Sequence, residues 1–558
     1  MNDFTDLIRA YALRNALDFG KVDAGRIVPK LFAHGLEKSA LEEIMPVIMT
    51  IAREVNGLSV GAREHAFAPL ASLIPEHVEK EKTLPLLPDA RQGLVVTRLP
   101  PEPSKHLHVG HGLSFLLNAQ YAADYTGKVV LRLEDCNPEK VTQAYADSII
   151  ADITEYLQIP LASVSYVSDD MPRLLEYAEH LIIRGNAYMC FCSQESMRDL
   201  RHAGKDCSCR TASVEKTLEH WKEFVKGIYG AGNAVLRHKG AMQNENHVMR
   251  DSVLWREVDA VHFRHKKQYK VWPMYDFYNA IEDSVSGVTH VLRSNEFHQR
   301  GELQQALRVA LGLRQPTVVE YGRFSVAEKT TKGREIRELV ESGAYIGWDD
   351  PRLVTLKALR RRGITKEVLI ALMNQVGLKK AEVVFEFPMI AAVSRKLIDA
   401  TTERYTFIAN PVEIAVAGAP LDLTEIAFPL HPDRPETRTE RITPGIVSLS
   451  AKDWDTYKGK EIRLVHGYNL QLHATTKEGT YTSLDNKALP KVTWVSTFAL
   501  PARVFMDDGT WVEGKVFEDV ASLKIGTVVQ FERFGFCKLD KVLKKGTGQV
   551  YEFWFTHA

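Results

Sequence analysis

The chain has 558 residues, too many for one hydrophobic core, and its 45% hydrophobic and 25% charged content is that of ordinary globular protein. Lys plus Arg equals Asp plus Glu at 71 each, so net charge argues neither for nor against nucleic acid, and any RNA surface has to be local. Charges throughout "MNDFTDLIRAYALRNALDFG" leave this stretch without the apolar core of a secretory leader, no apolar run reaches bilayer length, and a cytoplasmic protein with no membrane partner is expected.

Phe4, Leu7, Ile8 and Tyr11 fall at helical spacing, with Gly20 as a stop, and helical patterning continues through "LEEIMPVIMTIAREVNGL". Residues 1–85 are predicted to form a helical N-terminal domain that ends in the proline-spaced stretch "TLPLLPDARQG". The texture then changes. "GLVVTRL" (93–99) reads as a buried strand, "HGLSFLLNAQYAADYTG" as a helix and "KVVLRLED" (128–135) as a second strand, which makes a βαβ unit with a parallel sheet. A further helix is predicted over about 140–157. The alternation breaks at a cysteine-rich stretch and resumes at "YKVWPMYDFYNAIED" and "GVTHVLRSNEF". Residues 186–270 therefore read as an insertion between two halves, 86–185 and 271–340, of one Rossmann-like nucleotide-binding fold. Past about residue 400, short strands punctuated by Gly, Pro and Asp, such as "KVTWVSTFAL" and "ARVFMDDGTWVEGKVF", predict one all-β barrel or a pair.

Two stretches carry chemistry. In "RLPPEPSKHLHVGHG" (98–112), His108, Gly110 and His111 stand where the first strand gives way to its helix. Unpaired N–H groups and the helix dipole favour an anion at that end. Two imidazoles there can donate to phosphate oxygens without a fixed full charge, and Gly110 lets a ligand approach the backbone. Two solvent-facing histidines on a loop are the plainer alternative. In "CFCSQESMRDLRHAGKDCSC", Cys190, Cys192, Cys207 and Cys209 form two C-x-C pairs around a charged loop, a spacing suited to a closed, structural tetrahedral zinc site. Four unligated thiols are the alternative. Cys136 and Cys537 read as isolated packing residues.

"TRLPPEPSKHLHVGHG" resembles the signature "TRFPPEPNGYLHIGHA" of the class I glutamyl- and glutaminyl-tRNA synthetases of the archaeal and eukaryotic branch. "LRLEDCNPEK", "VWPMYDFYNAIEDSVSGVTHVLRSNEFHQR" and "GWDDPRLVTLKALRRRGI" are similar to further blocks of that family, in the family's order. The resemblance implies a multidomain α/β and β protein: a class I catalytic domain with a zinc-containing insertion (186–270) that grips the tRNA acceptor end, a helical connecting domain (341–405), and anticodon-binding β-barrels (406–558). It implies activation of L-glutamate by ATP with magnesium to glutamyl-adenylate, then transfer to tRNA(Glu) and, in some members of the family, also to tRNA(Gln), an alternative the sequence leaves open. His108, Gly110 and His111 would handle ATP. Arg98 would bind the substrate's side-chain carboxylate, Glu134 its α-amino group, and Tyr275 would line the pocket. A guanidinium fork matches a carboxylate, and an ammonium needs an acceptor.

Arg293 stands where glutaminyl enzymes of the family hold a small uncharged residue. A second guanidinium there favours glutamate and leaves glutamine facing an unpaired buried charge, at a cost of about 2–5 kcal/mol; the alternative is that Arg293 pairs with Glu296. The family's KMSKS loop is irregular here, "YGRFSVAEKTTKGREIREL", with Lys332 the nearest candidate for the phosphate-steadying lysine and Lys329 and Arg334 as rivals. That irregularity keeps open a catalytically weak RNA-binding paralogue beside a glutaminyl enzyme as alternatives. Basic clusters at 264–267, 360–362 and 541–545 are expected to meet RNA phosphates.

Overall fold

The computed structural model describes residues 4–58, 60–74, 84–327, 329–546 and 548–558. Residues 75–83, at the end of the expected N-terminal domain, and Glu328 of the irregular loop lie outside them. The chain divides into two compact units, Met1–Lys82 and Thr83–Ala558.

The first unit is helical: α1 (Thr5–Phe19), α2 (Ala24–Ala33), α3 (Leu41–Gly57) and α4 (Val60–Phe67). Gly20 stops α1 in the left-handed region at φ 78°, a conformation that costs glycine little. Ile8, Leu13, Ile27, Leu31, Ile48 and Val55 form the core. Arg63 is buried and pins the helix ends, donating to the carbonyls of Val55, Gly20 and Asn56 at 3.1, 2.9 and 3.2 Å.

The second unit opens with β1 (Val96–Leu99), α5 (Val109–Asp124), β2 (Lys128–Leu133), α6 (Gln143–Ala151) and β3 (Ser163–Tyr166). β1 is shorter than predicted because Gly93, at φ 78°, lies in a turn ahead of it. The predicted helix over 140–157 begins only at Gln143, capped by Thr142, and runs on as a π-helical turn, Asp152–Tyr156. β1 pairs with β2 and β2 with β3, all parallel, with Arg98 opposite Val130.

The insertion follows α7 (Met171–Ile183). It consists of β4 (Ala187–Cys190), α8 (Gln194–Ala203), α9 (Val214–Val225), β5 (Val235–His238), β6 (Val253–Glu257) and β7 (Val271–Pro273), and its four strands make one antiparallel sheet. Its core is not closed within 186–270. Trp221, Trp255 and Trp272 pack with Leu174 and Leu181 of α7, with Phe277 and Ile281 of α10 (Tyr275–Val285), and with Leu303 and Leu307 of α11 (His298–Leu311).

β8 (His290–Ser294) returns to the parallel sheet and pairs with β9 (Thr317–Tyr321). Thr289 N donates to Val96 O at 2.9 Å, which puts β8 beside β1 and gives the order β3-β2-β1-β8-β9. β10 (Phe324–Val326), α12 (Gly333–Glu341), α13 (Leu356–Arg362), α14 (Lys366–Val376), β11 (Val383–Phe385) and α15 (Phe387–Ile398) complete this half. Leu356, Leu359, Val368, Leu369 and Ile390 share one core with Leu113 and Leu117 of α5, so the expected connecting segment packs on the parallel-sheet layer.

The remaining chain builds two seven-stranded sheets. The chain enters the second with Arg404–Tyr405 and Phe407–Ala409, leaves to form the first over residues 411–495, and returns at Leu500–Phe505, so the first is nested within the second. The arginine run expected to face RNA is corrected here. Arg361 holds Asp540 through two bonds of 2.9 and 2.7 Å, and Arg362 donates to the carbonyls of Phe555, Pro351 and Thr556 at 3.2, 2.9 and 2.8 Å. Both are internal pins between α13 and the last strands. Arg360 pairs with Glu155 at 3.2 Å, and Arg264 makes a two-bond pair with Asp169.

Among the described residues no helix is long and apolar enough to cross a membrane. Burial holds His106, His262 and His557 near pKa 4, well under an unfolded value of about 6.5. Below that value the unfolded chain binds protons these side chains refuse, so their contribution to stability falls as pH drops from 6.5 to 4, while Asp152 and Glu282, raised by burial to about 7, contribute with the opposite sign. Ring-proton NMR shifts should find these three histidines still neutral at pH 5; titration midpoints near 6.5 would mean the rings titrate normally in the fold.

Candidate active site

His108 is the N-cap of α5, in extended backbone at φ −118°, and its Nδ1 accepts from Gly110 N at 3.1 Å. His111, one turn on, reaches back so that its Nδ1 accepts from His108 N at 3.2 Å. The pair closes a capping box made of two imidazoles, with ring centroids 3.9 Å apart. A backbone N–H can only donate, so both Nδ1 atoms are acceptors and each neutral ring carries its proton on Nε2. Burial depresses both rings, His108 well below the ordinary value, with help from His111, and His111 to about 3. The result is two fixed, uncharged N–H donors at a helix N-terminus.

Gly110 also lets β10 approach the helix start closely. A Cβ there would come within 2.7 Å of the Phe324 carbonyl oxygen on β10 and 3.0 Å of the His108 ring. Gly110→Ala should therefore displace β10 or the His108 ring and cut turnover by at least about tenfold, since a positioning error near 1 Å costs that much or more. A kinetic assay finding wild-type turnover would mean the strand yields freely.

The loop after β10 lies against Lys105, three residues before His108. Lys105 Nζ donates to Thr331 O at 3.4 Å, and a Cβ on Gly333 would meet the Lys105 side chain at 3.0 Å. Lys332 sits in that loop but is exposed, with its ammonium on Glu335 at 2.8 Å. Arg334 is likewise held by Glu338 at 2.9 Å.

Beneath α10, alternation along three neighbouring strands puts one set of side chains on one sheet face. Leu99, Leu131, Leu133 and Leu292 turn to the α5 core, so Arg98, Arg132, Glu134 and Arg293 turn the other way. Asp283 of α10 accepts from Arg132 Nη1 at 2.7 Å and from Arg98 Nε at 3.3 Å. Arg98 Nη1 is held by the Leu292 carbonyl at 3.2 Å. Glu134 accepts from Arg132 Nη2 at 3.0 Å, Asn279 at 3.0 Å and Tyr278 at 3.3 Å. Burial raises Glu134 despite Arg132, whereas at Asp283 the two guanidinium groups overcome burial and hold the carboxyl low. Glu134 is thus the carboxylate with most to gain from an incoming ammonium. Tyr275, its hydroxyl pushed up by burial and Glu134, stands at the start of α10.

Arg293 shares that face but is already engaged, by Gln304 at 2.8 Å and Glu320 at 3.2 Å. Glu296, its alternative partner, instead lies 3.6 Å from Arg323. Sequence reasoning missed Arg132, Tyr278, Asn279 and Asp283. The alternation of "VLRLE" could have put Arg132 on the face of Glu134, but nothing local marks Asp283, 151 residues away.

Cys190 ends β4, Cys192 follows it, and Cys207 and Cys209 flank the start of a 3₁₀ turn. Their four Sγ atoms lie within 4.8 Å of one another, with Cys192 and Cys209 3.8 Å apart. Sulfurs at the corners of a tetrahedron about 2.3 Å from a metal stand about 3.8 Å apart, so the donor set fits a closed site. Tyr188 reinforces it, its hydroxyl 3.4 Å from Cys207 Sγ and donating to buried Asp251 at 2.9 Å.

The family described as tRNA synthetases class I (E and Q), catalytic domain, matches residues 94–400, and its anti-codon binding domain matches residues 402–487. The chain is 36% identical to the glutamate–tRNA ligase of Pyrococcus abyssi, covering 97% of this chain and 98% of that protein. It is 34% identical to that of Methanothermobacter marburgensis, covering 99% of each, and to that of Methanobrevibacter smithii, covering 97% and 98%. With its paired-histidine helix start, its parallel sheet and its nested β-sheets, the chain belongs to the class I glutamyl- and glutaminyl-tRNA synthetase family.

Proposed function

We propose that the protein is a glutamate–tRNA ligase. The glutamate α-carboxylate attacks the α-phosphorus of ATP, pyrophosphate leaves, and the acyl group passes from the adenylate to the terminal ribose of tRNA(Glu) as AMP leaves; tRNA(Gln) is the second acceptor to be tested. The observation that carries this reading is the pair of Nε2–H donors fixed at the start of α5, in a chain similar end to end to glutamate–tRNA ligases. Such donors stabilise charge that spreads over the α-phosphate in the transition state. Arg98 and Arg293 address the side-chain carboxylate, Glu134 the α-ammonium, and Tyr275 lines the pocket. Magnesium accompanies ATP, Lys332 or a neighbour steadies its phosphates once freed from Glu335, and the cytoplasm is the site of action. The test is aminoacylation with glutamate and with glutamine against each of the two tRNAs; charging with glutamine alone would overturn the reading.

The insertion grips the acceptor end, and the nested β-sheets (406–558) take the anticodon. Zinc held by Cys190, Cys192, Cys207 and Cys209 would fix the fold of the insertion and take no part in the chemistry. Purified protein should carry about one zinc per chain, and Cys207→Ser should lose it and weaken tRNA use more than ATP binding. Metal analysis that finds no zinc in protein prepared without chelator would remove the site.

A further inference from the structure

Arg293 carries an inference that rests on glutamate being the substrate. It is 6% exposed, and its Nε is buried with no hydrogen-bond partner among the described residues. Its one carboxylate partner there is Glu320, the residue directly across the β8–β9 ladder. Glu320 is itself shared, because its other oxygen accepts from His298 Nδ1 at 2.7 Å. On the other side Gln304 links Arg293 to Asp276 at 3.3 Å, which Arg300 holds at 2.6 Å next to Tyr275. Gly301 makes the room, since a Cβ there would meet Arg293 Nη2 at 2.7 Å. Arg293, Arg308, Glu320 and Lys380 line an open cleft of about 670 Å³, and Arg308 is even more buried than Arg293.

The guanidinium is therefore half committed. A fully paired Arg293 would offer no more to a carboxylate than to an amide, and an unpaired one would be a buried charge that the empty enzyme could not hold cheaply. We propose that Glu320 is a specificity-positioning residue: it is the resident counter-charge of Arg293, and the substrate's side-chain carboxylate competes with it for that guanidinium. His298 moderates the competition by drawing off part of the Glu320 charge through an exposed hydrogen bond.

Two variants with opposite expectations test this. Glu320→Gln keeps the size and an acceptor oxygen but removes the charge, so KM for glutamate should fall by about threefold or more, with kcat changing less than KM. His298→Ala, at a position 79% exposed, leaves Glu320 wholly to Arg293 and should raise KM by about twofold or more. A purely structural role would lower kcat and thermal stability in both and would not split KM in opposite directions. An unchanged or raised KM in Glu320→Gln overturns the proposal; should that variant not fold, an unmoved KM in His298→Ala does so. If the wild-type protein charges no tRNA with glutamate, the substrate assignment fails first and this proposal with it.

Discussion

His111→Ala is expected to slow adenylate formation by about 10²–10³-fold while leaving the protein folded. His111 offers Nδ1 to the His108 amide and is left with one outward N–H, which cannot rotate away without breaking the cap. A donor fixed in this way needs no reorganisation when charge develops on a phosphate, and that accounts for the size of the effect. The ring stays neutral above about pH 3, so neither histidine should give the rate profile a limb between pH 5 and 9. His111→Asn is the informative companion, because its Oδ1 can accept from the His108 amide while its Nδ2–H points outward. It should retain clearly more activity than the alanine variant. His108→Ala should lose a comparable factor in rate and, in addition, about 1 kcal/mol of stability, since it removes the N-cap of α5. ATP–pyrophosphate exchange in the presence of tRNA reads the rate, and unchanged exchange in His111→Ala would make the pair a structural cap and nothing more.

What could be read in the sequence was what repeats or stays local. The βαβ unit was legible because strand and helix periods differ, and the four cysteines because their ligand spacing lies within twenty residues. The two histidines were legible as a helix start, though not their tautomer, which depends on which backbone N–H each ring meets. The Arg360–Arg362 run shows the limit. Three consecutive arginines read alike whether solvated or internal, and the partners of Arg361 and Arg362, at Asp540, Phe555 and Thr556, come 179 to 194 residues later. The irregular loop was visible as a departure, but that Glu335 captures Lys332 depends on where α12 begins. The insertion was placed by its cysteines, yet its core extends into α7, α10 and α11 because its sheet alone cannot cover three tryptophans.

Asp283→Asn is expected to cost about 3–5 kcal/mol of stability, the largest effect foreseen for one side chain. Asp283 is 1% exposed and is the shared partner of two guanidinium groups, Arg98 and Arg132, each 2% exposed. Removing its charge leaves Glu134 as the one carboxylate paired with Arg132 among the described residues and leaves Arg98 with the Leu292 carbonyl. Two buried cations are then short of one anion, a far worse state than having neither cation nor anion. Glutamate use should fall with stability, because Arg132 would draw on Glu134, the acceptor proposed for the substrate's ammonium, and Arg98 would lose its fixed orientation. The double variant Arg132→Met with Asp283→Asn separates the two effects. It takes away one stranded charge together with the missing partner, so part of the lost stability should return. Activity should not return with it: without Arg132, burial pushes Glu134 further toward its protonated form, which accepts poorly from an ammonium. Chemical denaturation and glutamate-dependent aminoacylation, measured on the same three proteins, read stability and site separately. A loss under about 1 kcal/mol in Asp283→Asn would mean that its carboxylate does not hold the arginine pair, and recovery of activity in the double variant would mean that Glu134 does not need Arg132 to stay charged.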